Sequence, residues 1–563
     1  MGTSADQDFI PWPQDFRERY IAGGYWQDIT LGDIIRNTAA RYPEREAFVD
    51  AGERVTYAQL EQRVNRLASG FLEMGIRRGD RVIVQLPNCV EFIYVFFALA
   101  KIGALGVLAL RHHRGREIGY LAGMSEAVGI VAPHLFRGFD YLQMIEELRP
   151  GAPGLKHVIL MAERAPAGVH SLTQLLNSDR PDAPGGLLKK GAGPDPGDVA
   201  FIFTTGGTTA FPKGVPRTHY DYICNAVRNT GPRRYTRDTV FLINVPIAHN
   251  AALLRMVGIL SEGGKIIIHP GLSDPEEMAE LIQREKVTQT HMVPTQLVDL
   301  LGFPNLDRYD TGSLKIVESG GAHVSSELVK NTAAVFGGLF INNFGMAEGP
   351  ISYTRLDDPF ETACDTVGRP CCPDDEFKIV DEAGRELPPG QEGELLSRGP
   401  HVIRGYYRNP EENSRAFEDD GFFHTGDLAA IDRNGNLRIT GRQKDMILRG
   451  GENISAVELE ELLMAHPKVA DVAVVGMPDP RLGERVCAYI KPKPGAVITF
   501  DEVIASLKSQ QIASFKLPER VEVVEGFPLT AIGKVSKKDL RLDIAAKLEA
   551  EAGGEGKPPK KAA

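Results

Sequence analysis

The chain has 563 residues, 42% apolar and 25% charged, which is ordinary globular usage and excludes a mainly disordered or fibrous protein. Lys and Arg number 64 against 75 Asp and Glu, a net charge of −11, so no basic field awaits a nucleic acid. Six scattered cysteines (Cys89, Cys224, Cys364, Cys371, Cys372, Cys487) show no CxxC or Cys/His ligand spacing and read as reduced thiols.

In chain order, residues 1–16 lack the basic start and apolar core of a secretory signal, which predicts a cytoplasmic protein. Helical patterns at 57–74 and 275–285 alternate with short β-branched runs at 81–85, 129–132, 157–161 and 265–269. That order predicts parallel sheets covered on both faces. The apolar stretch 92–110 is broken by Lys101, Gly103 and Gly106, so it reads as a buried helix running into a buried strand and not as a membrane span. Residues 162–197, rich in Gly, Pro and Asp, read as a solvated connection.

From 377 to 398, strands separated by Gly, Asp and Asn predict antiparallel hairpins. After Gly441-Arg442-Gln443-Lys444-Asp445 a new α+β pattern begins: helix 457–465, strands 469–476 and 485–491, helix 501–510 and strand 520–524. About 100 residues make a domain of their own. The expected division is a large N-terminal domain at 1–441, a hinge at 442–446, a small domain at 447–548 and a disordered tail at 549–563.

One segment carries phosphate chemistry on its face. Thr204-Thr205-Gly206-Gly207-Thr208-Thr209-Ala210-Phe211-Pro212-Lys213-Gly214 follows the apolar run 199–203. Its glycines let backbone N–H groups approach phosphate oxygens, its hydroxyls add donors, and Lys213 adds charge. Pro212 and Gly214 flank the lysine, which departs from the GxxxxGK[ST] loop of Walker-type NTPases. A glycine-rich surface turn is the competing reading.

Further motifs follow in order: Ser319-Gly320-Gly321-Ala322, Asn343-Phe344-Gly345-Met346-Ala347-Glu348, His424-Thr425-Gly426-Asp427, Gly441 to Asp445, and Gly533-Lys534. With the phosphate loop they resemble the adenylate-forming superfamily of acyl-CoA synthetases, aryl-acid adenylating enzymes and peptide-synthetase adenylation domains, over about residues 12–548. The resemblance implies an α/β fold: a large N-terminal domain of two αβ-layered sheet subdomains plus a small β-barrel-like subdomain, and a small mobile α+β C-terminal domain. It also implies ATP and Mg²⁺ as cofactors and a carboxylic acid as substrate. No nucleic acid or membrane partner is expected, and a homodimer is compatible with it.

Residue by residue, the resemblance implies that Lys534 stabilises the adenylation transition state and that Glu348 contacts Mg²⁺. Thr205, Gly206, Gly207, Thr208, Thr209 and Lys213 would hold phosphates. Asp427 would bind ribose and Arg442 ribose or phosphate, with Lys444 as the hinge. Gly320, Gly321 and Ala322 would wall the adenine, with Asn343 at its edge, Phe344 stacking, and Gly345 and Met346 completing the nucleotide site. His249, Asn250, Gly320, Gly345 and Ile351 would line the acid site, with His249 counted among the catalytic residues.

The start Trp12-Pro13-Gln14-Asp15-Phe16, then Gly24-Tyr25-Trp26, is similar to 2,3-dihydroxybenzoate–AMP ligases of siderophore synthesis. Three departures stand against that branch. Ala251 to Val257 replace the small polar residue expected near a ring hydroxyl, which predicts an unsubstituted ring acid, with Arg255 read as an outward surface residue on a helix. Residues 445–454 (DMILRGGENI) read like CoA ligases, with Gly450 and Gly451 lining the pantetheine tunnel. Ala210 stands where the phosphate loop usually has glycine. The resulting expectation is an acid–CoA ligase for an aromatic or cyclic acid. The alternative is an aryl-acid–AMP ligase loading the phosphopantetheine of a carrier protein.

Overall fold

Helix Tyr57–Glu73 begins at Thr56, whose hydroxyl caps Gln59 while Gln59 reaches back, and its apolar positions bury Leu60, Val64, Leu67 and Phe71. Pro at the first position and the Asp274 cap start Pro275–Glu285 in the same self-contained way. In the computed structural model the described residues are 8–554, apart from 52, 179–192, 206–211, 270–273, 450–451, 511, 513 and 531–532.

Two large sheets form the body. One runs Arg369–Pro370, Ile351–Tyr353, Leu339–Gly345, Ile316–Gly320, Gln289–Met292, Val240–Ile243, Lys265–Ile268, Glu46–Asp50 and Glu53–Thr56, parallel through its middle with antiparallel edges. The other has seven strands centred on Leu105–Leu108 and Arg81–Val84. The stretch 92–110 is the predicted helix, Val90–Ile102, running into strand Leu105–Leu108, with Gly103 at φ 73 between them. Lys101 is anchored on Glu61 at 2.6 Å. Among the described residues no helix is long and apolar enough to cross a membrane.

Glu376–Val380, Gly393–Arg398, Phe423–Ile431 and Leu437–Arg442 form the antiparallel hairpins expected from sequence, but as an open sheet of four strands and not a closed barrel. The strand Ile447–Arg449 already belongs to the C-terminal sheet, which contains Val469–Asp479, Gly483–Pro492 and Arg520–Val523. The C-terminal α+β pattern thus appears element for element.

Two expectations are corrected. Within 162–197, helix Leu172–Leu176 buries Leu172, Leu175 and Leu176, an apolar face at helical spacing that packs this part onto the body. The tail is helical through 554, in Lys537–Gly554, where Ala545, Ala546 and Ala550 favour helix and Arg520 pairs with Glu551 at 2.8 Å. Residues 555–563 lie outside the described residues.

Candidate active site

Strands Ile316–Gly320 and Leu339–Gly345 lie parallel with Gly320 opposite Asn343, and their C-terminal ends open the crevice in which such sheets bind ligands. A side chain at Gly320 would collide with the Asn343 carbonyl, so glycine is required there. Gly321, at φ +82, lies under Lys534: a Cβ at Gly321 would stand 3.1 Å from the lysine Cε. The C-terminal domain is held in this position partly by Thr295, whose hydroxyl donates to the Gly533 carbonyl at 2.8 Å. Asn343 donates to the Ser319 carbonyl at 2.7 Å, Phe344 packs on the four-stranded sheet, and Ala322 is exposed.

On the phosphate side, Thr205 pairs with Lys213 across the antiparallel strands Val199–Thr205 and Lys213–Thr218. Gly206, Gly207, Thr208, Thr209 and Ala210, between them in sequence, lie outside the described residues, as do Gly450 and Gly451. Lys213 is paired with Glu412 and stands 4.8 Å from the centre of the Tyr406 ring. The Tyr406 hydroxyl in turn donates to Glu348 at 3.0 Å. Neither Tyr406 nor Glu412 was singled out from sequence.

Asp427 and Arg442 face each other across an antiparallel pair, with Arg442 Nε donating to Asp427 Oδ1 at 2.6 Å. The second oxygen, Oδ2, is buried and has no partner among the described residues. A buried carboxylate oxygen left open is costly, and a ribose hydroxyl would satisfy it. Glu348, also buried, offers the single hard carboxylate suited to a Mg²⁺ that bridges phosphates. These residues therefore fit a nucleotide and its metal. Burial pushes the Lys534 ammonium down to about 8, with Arg442 and Lys444 adding to the shift.

The acid pocket lies between Lys534 and the helix Asn250–Glu262. His249 caps that helix through Nδ1, which accepts the Ala251 N–H at 3.2 Å. Burial, with Lys534 nearby, pushes it down to about 3, so the ring is neutral with its proton on Nε2. Ile351, paired with Gly345, supplies the aliphatic wall.

Asn250 is in place but both ends of its amide are used: Oδ1 accepts from Tyr222 at 3.1 Å and Nδ2 donates to the Met346 carbonyl at 3.0 Å. It fixes the helix start, and one N–H and one carbonyl lone pair of the amide are left over on the side of the pocket it lines. Arg255 corrects the sequence reading more sharply. It is 3% exposed, turned inward, and its Nη2 stands 2.7 Å from Glu318.

Glu318 gathers a polar floor beneath the pocket. Arg233 Nε reaches it at 2.9 Å and the Tyr235 hydroxyl at 2.9 Å, while Arg233 also bonds Asn229 and stacks 3.9 Å from the Tyr353 ring. Burial would raise Glu318, but the guanidiniums of Arg255 and Arg233 outweigh it and hold its carboxyl down at about 2. Burial and Arg255 keep His291 neutral, and its Nδ1 is buried without a partner. Two guanidiniums thus face one carboxylate, and Arg233, Arg255 and His291 all line the cavity.

The match to known proteins agrees with this geometry. The model described as "AMP-binding enzyme" matches residues 35–407, and the one described as "AMP-binding enzyme C-terminal domain" matches 458–534. The 2,3-dihydroxybenzoate-AMP ligase of Bacillus subtilis is 41% identical over 96% of this chain and 98% of its own. A salicyl-AMP ligase / salicyl-S-ArCP synthetase of Mycobacterium tuberculosis is 38% identical over 94% of this chain and 93% of its own. The apo structure of MbtA from Mycobacterium smegmatis superposes with a TM-score of 0.73 at 36% identity, covering 96% of this chain and 100% of that one. The chain belongs to the AMP-binding enzyme family and is an AMP-forming acid–thiol ligase.

Proposed function

We propose that the protein joins an aromatic acid bearing a polar ring substituent to the AMP moiety of ATP, releasing pyrophosphate, and then passes the acyl group to the phosphopantetheine thiol of an aryl carrier protein, releasing AMP. The observation that carries the substrate is the inward Arg255 on Glu318. Glu318 and Gly320 share one face of their strand about 7 Å apart, and Gly320 directly precedes Gly321, over which Lys534 stands. That is the depth of a benzene ring with its carboxylate under the lysine. A plain ring would bury Arg255, Arg233 and His291 Nδ1 against hydrocarbon, while a hydroxyl or second carboxylate would pair with them. The polar floor replaces the expectation of an unsubstituted ring.

The residues divide the first step among them. Lys534 neutralises charge developing at the α-phosphate, and the neutral His249 offers Nε2–H toward the acid. Asp427 and Arg442 hold the ribose, and Glu348 would hold Mg²⁺, which supplies charge neutralisation between phosphates. The carrier protein is favoured over CoA by the relative whose name includes salicyl-S-ArCP synthetase, which aligns over nearly the whole chain. The CoA-ligase character of 445–454 is the opposing feature.

Pyrophosphate exchange with benzoate, cyclohexanecarboxylate, salicylate, 2,3-dihydroxybenzoate and phthalate tests the acid, and supplying CoA or a pantetheinylated aryl carrier protein tests the acceptor. Benzoate or cyclohexanecarboxylate as the best acid would refute the polar-floor reading. A higher kcat/KM for CoA would return the acceptor to CoA.

A further inference from the structure

We propose that Cys371, Cys372, Asp375 and His401 form a structural zinc site, separate from the nucleotide's Mg²⁺. From sequence these residues show no ligand spacing, because thirty residues and two strands separate the cysteines from the histidine. The fold returns the chain so that one ligand atom from each of the four lies within 4.8 Å of the others, the one such group of His, Cys, Asp and Glu among the described residues. All four side chains are buried.

The distances suit an ion. Cys371 and Cys372 place their sulfurs 3.7 Å apart, against about 3.8 Å for two thiolates on a tetrahedral zinc with Zn–S near 2.3 Å. His401 Nε2 stands 3.0 Å from Cys371 Sγ and 2.9 Å from Asp375 Oδ2. Its other nitrogen, Nδ1, lies 2.9 Å from the Gly349 carbonyl, which can only accept, so Nδ1 carries a proton. In the neutral ring the Nε2 lone pair then points at a sulfur and a carboxylate oxygen. Nε2 and the Asp375 oxygen, both acceptors, need a second proton on the imidazole or a metal ion between them, while the Cys371 thiol can donate its own proton to Nε2 when no ion is bound. A carbonyl orienting a histidine through its remote nitrogen is the usual support of a metal-bound imidazole.

The donor set decides which metal. Two thiolates, one imidazole and one carboxylate suit zinc, on which the four, now within 4.8 Å of one another, would close slightly, whereas Mg²⁺ takes oxygen ligands and keeps several waters. With four protein donors and no exposed face, the site is closed and therefore structural. It would tie the turn 371–375 to the His401 turn and to Gly349. Gly349 follows Glu348, whose carbonyl accepts the Ile403 N–H at 2.9 Å, and a side chain at Gly349 would collide with the His401 carbonyl. Zinc would thus brace the segment that presents Glu348 to the phosphates.

The test uses the full chain, purified without an affinity histidine tag and under reductant. Elemental analysis after dialysis against EDTA is expected to find about one zinc per chain, falling by about tenfold or more in Cys371→Ser and His401→Gln and unchanged in Cys487→Ser, a buried cysteine of the C-terminal domain. Because the site variants risk misfolding, Co²⁺ is also exchanged into the wild-type chain. A thiolate-to-cobalt charge-transfer band with strong tetrahedral visible bands is the expected spectrum. Metal-free wild-type protein that takes up no Co²⁺ would overturn the proposal and leave His401 and Asp375 as an imidazolium–carboxylate pair. A disulfide between Cys372 and Cys224, whose sulfurs are 4.0 Å apart, would overturn it as well.

Discussion

The guanidinium of Arg255 closes on Glu318 at 2.7 Å beneath the acid pocket, joining helix Asn250–Glu262 to strand Ile316–Gly320 across 63 residues of sequence. Removing it tests what the pocket recognises. In Arg255→Leu, Glu318 keeps Arg233 as partner, so the carboxylate is not left alone. We expect kcat/KM in pyrophosphate exchange to fall about 10–100-fold for a hydroxylated or dicarboxylic acid, the worth of a hydrogen bond to a charged group, and far less for benzoate. Equal losses for both acids would assign Arg255 to the fold alone.

Lys534 stands over Gly321 at the mouth of the same pocket. On the proposed role of its charge in the adenylation transition state, Lys534→Ala should cost about 10²-fold or more in the first half-reaction. Transfer from pre-made acyl-adenylate should be largely retained. Equal loss in both half-reactions would show that the lysine serves both.

Much of the fold was legible because its signals are local. Strand His157–Met161 and helix Pro275–Glu285 match their predicted limits, since a short apolar run with β-branched residues and a Pro-plus-Asp start need no distant partner. The site motifs were legible for a different reason: they resemble a family. Arg255 was not, because an arginine on a helix faces water unless something far away pays for its burial. The available signal was Glu318, a carboxylate between Val317 and Ser319 in a strand buried on both faces, which requires a cation from elsewhere. The cluster at Cys371 and His401 was invisible for the same reason, since the hairpin between them supplies the return.

The acid–base behaviour of Lys534 is expected to set the alkaline limb of activity. Burial, with Arg442 and Lys444 adding to it, holds its pKa near 8, so the ammonium is present below that pH and lost above it. The kcat/KM for adenylation, which reports the free enzyme, should decline as pH rises through about 8. Lys534→Ala should lack this limb. An identical alkaline limb in the variant would assign it to another group.

Asp427 makes a separate claim on ATP. Its Oδ2 is buried and unpartnered while Oδ1 is held by Arg442. Asp427→Asn keeps the shape but loses the charge-assisted bond to the ribose, worth about 1.5–3 kcal/mol, so KM for ATP should rise roughly tenfold or more. KM for the acid should change little. A shift confined to the acid would remove the ribose role.

The last prediction concerns the joint between the two domains. Strand Leu437–Arg442 belongs to the four-stranded sheet and Ile447–Arg449 to the C-terminal one, and only the single turn Gln443–Asp445 and Met446 intervene. The observed orientation places Lys534 over Gly321, which serves adenylation, and it is held at the joint by Arg541, bonded to Asp445 at 2.8 Å. We infer that a second orientation, for thiol transfer, is reached by backbone rotation at this joint, and we place that rotation at Lys444. Proline fixes φ near −65°, which suits the turn as it stands but forbids a large change. Lys444→Pro should therefore keep adenylation within about twofold and slow acyl transfer by about tenfold or more, while Lys444→Ala, which leaves the backbone free, should transfer normally. Pre-steady-state measurement of the two half-reactions separates them. Normal transfer in the proline variant would move the hinge to another residue, and loss of adenylation in both variants would show that the lysine side chain itself serves the first step.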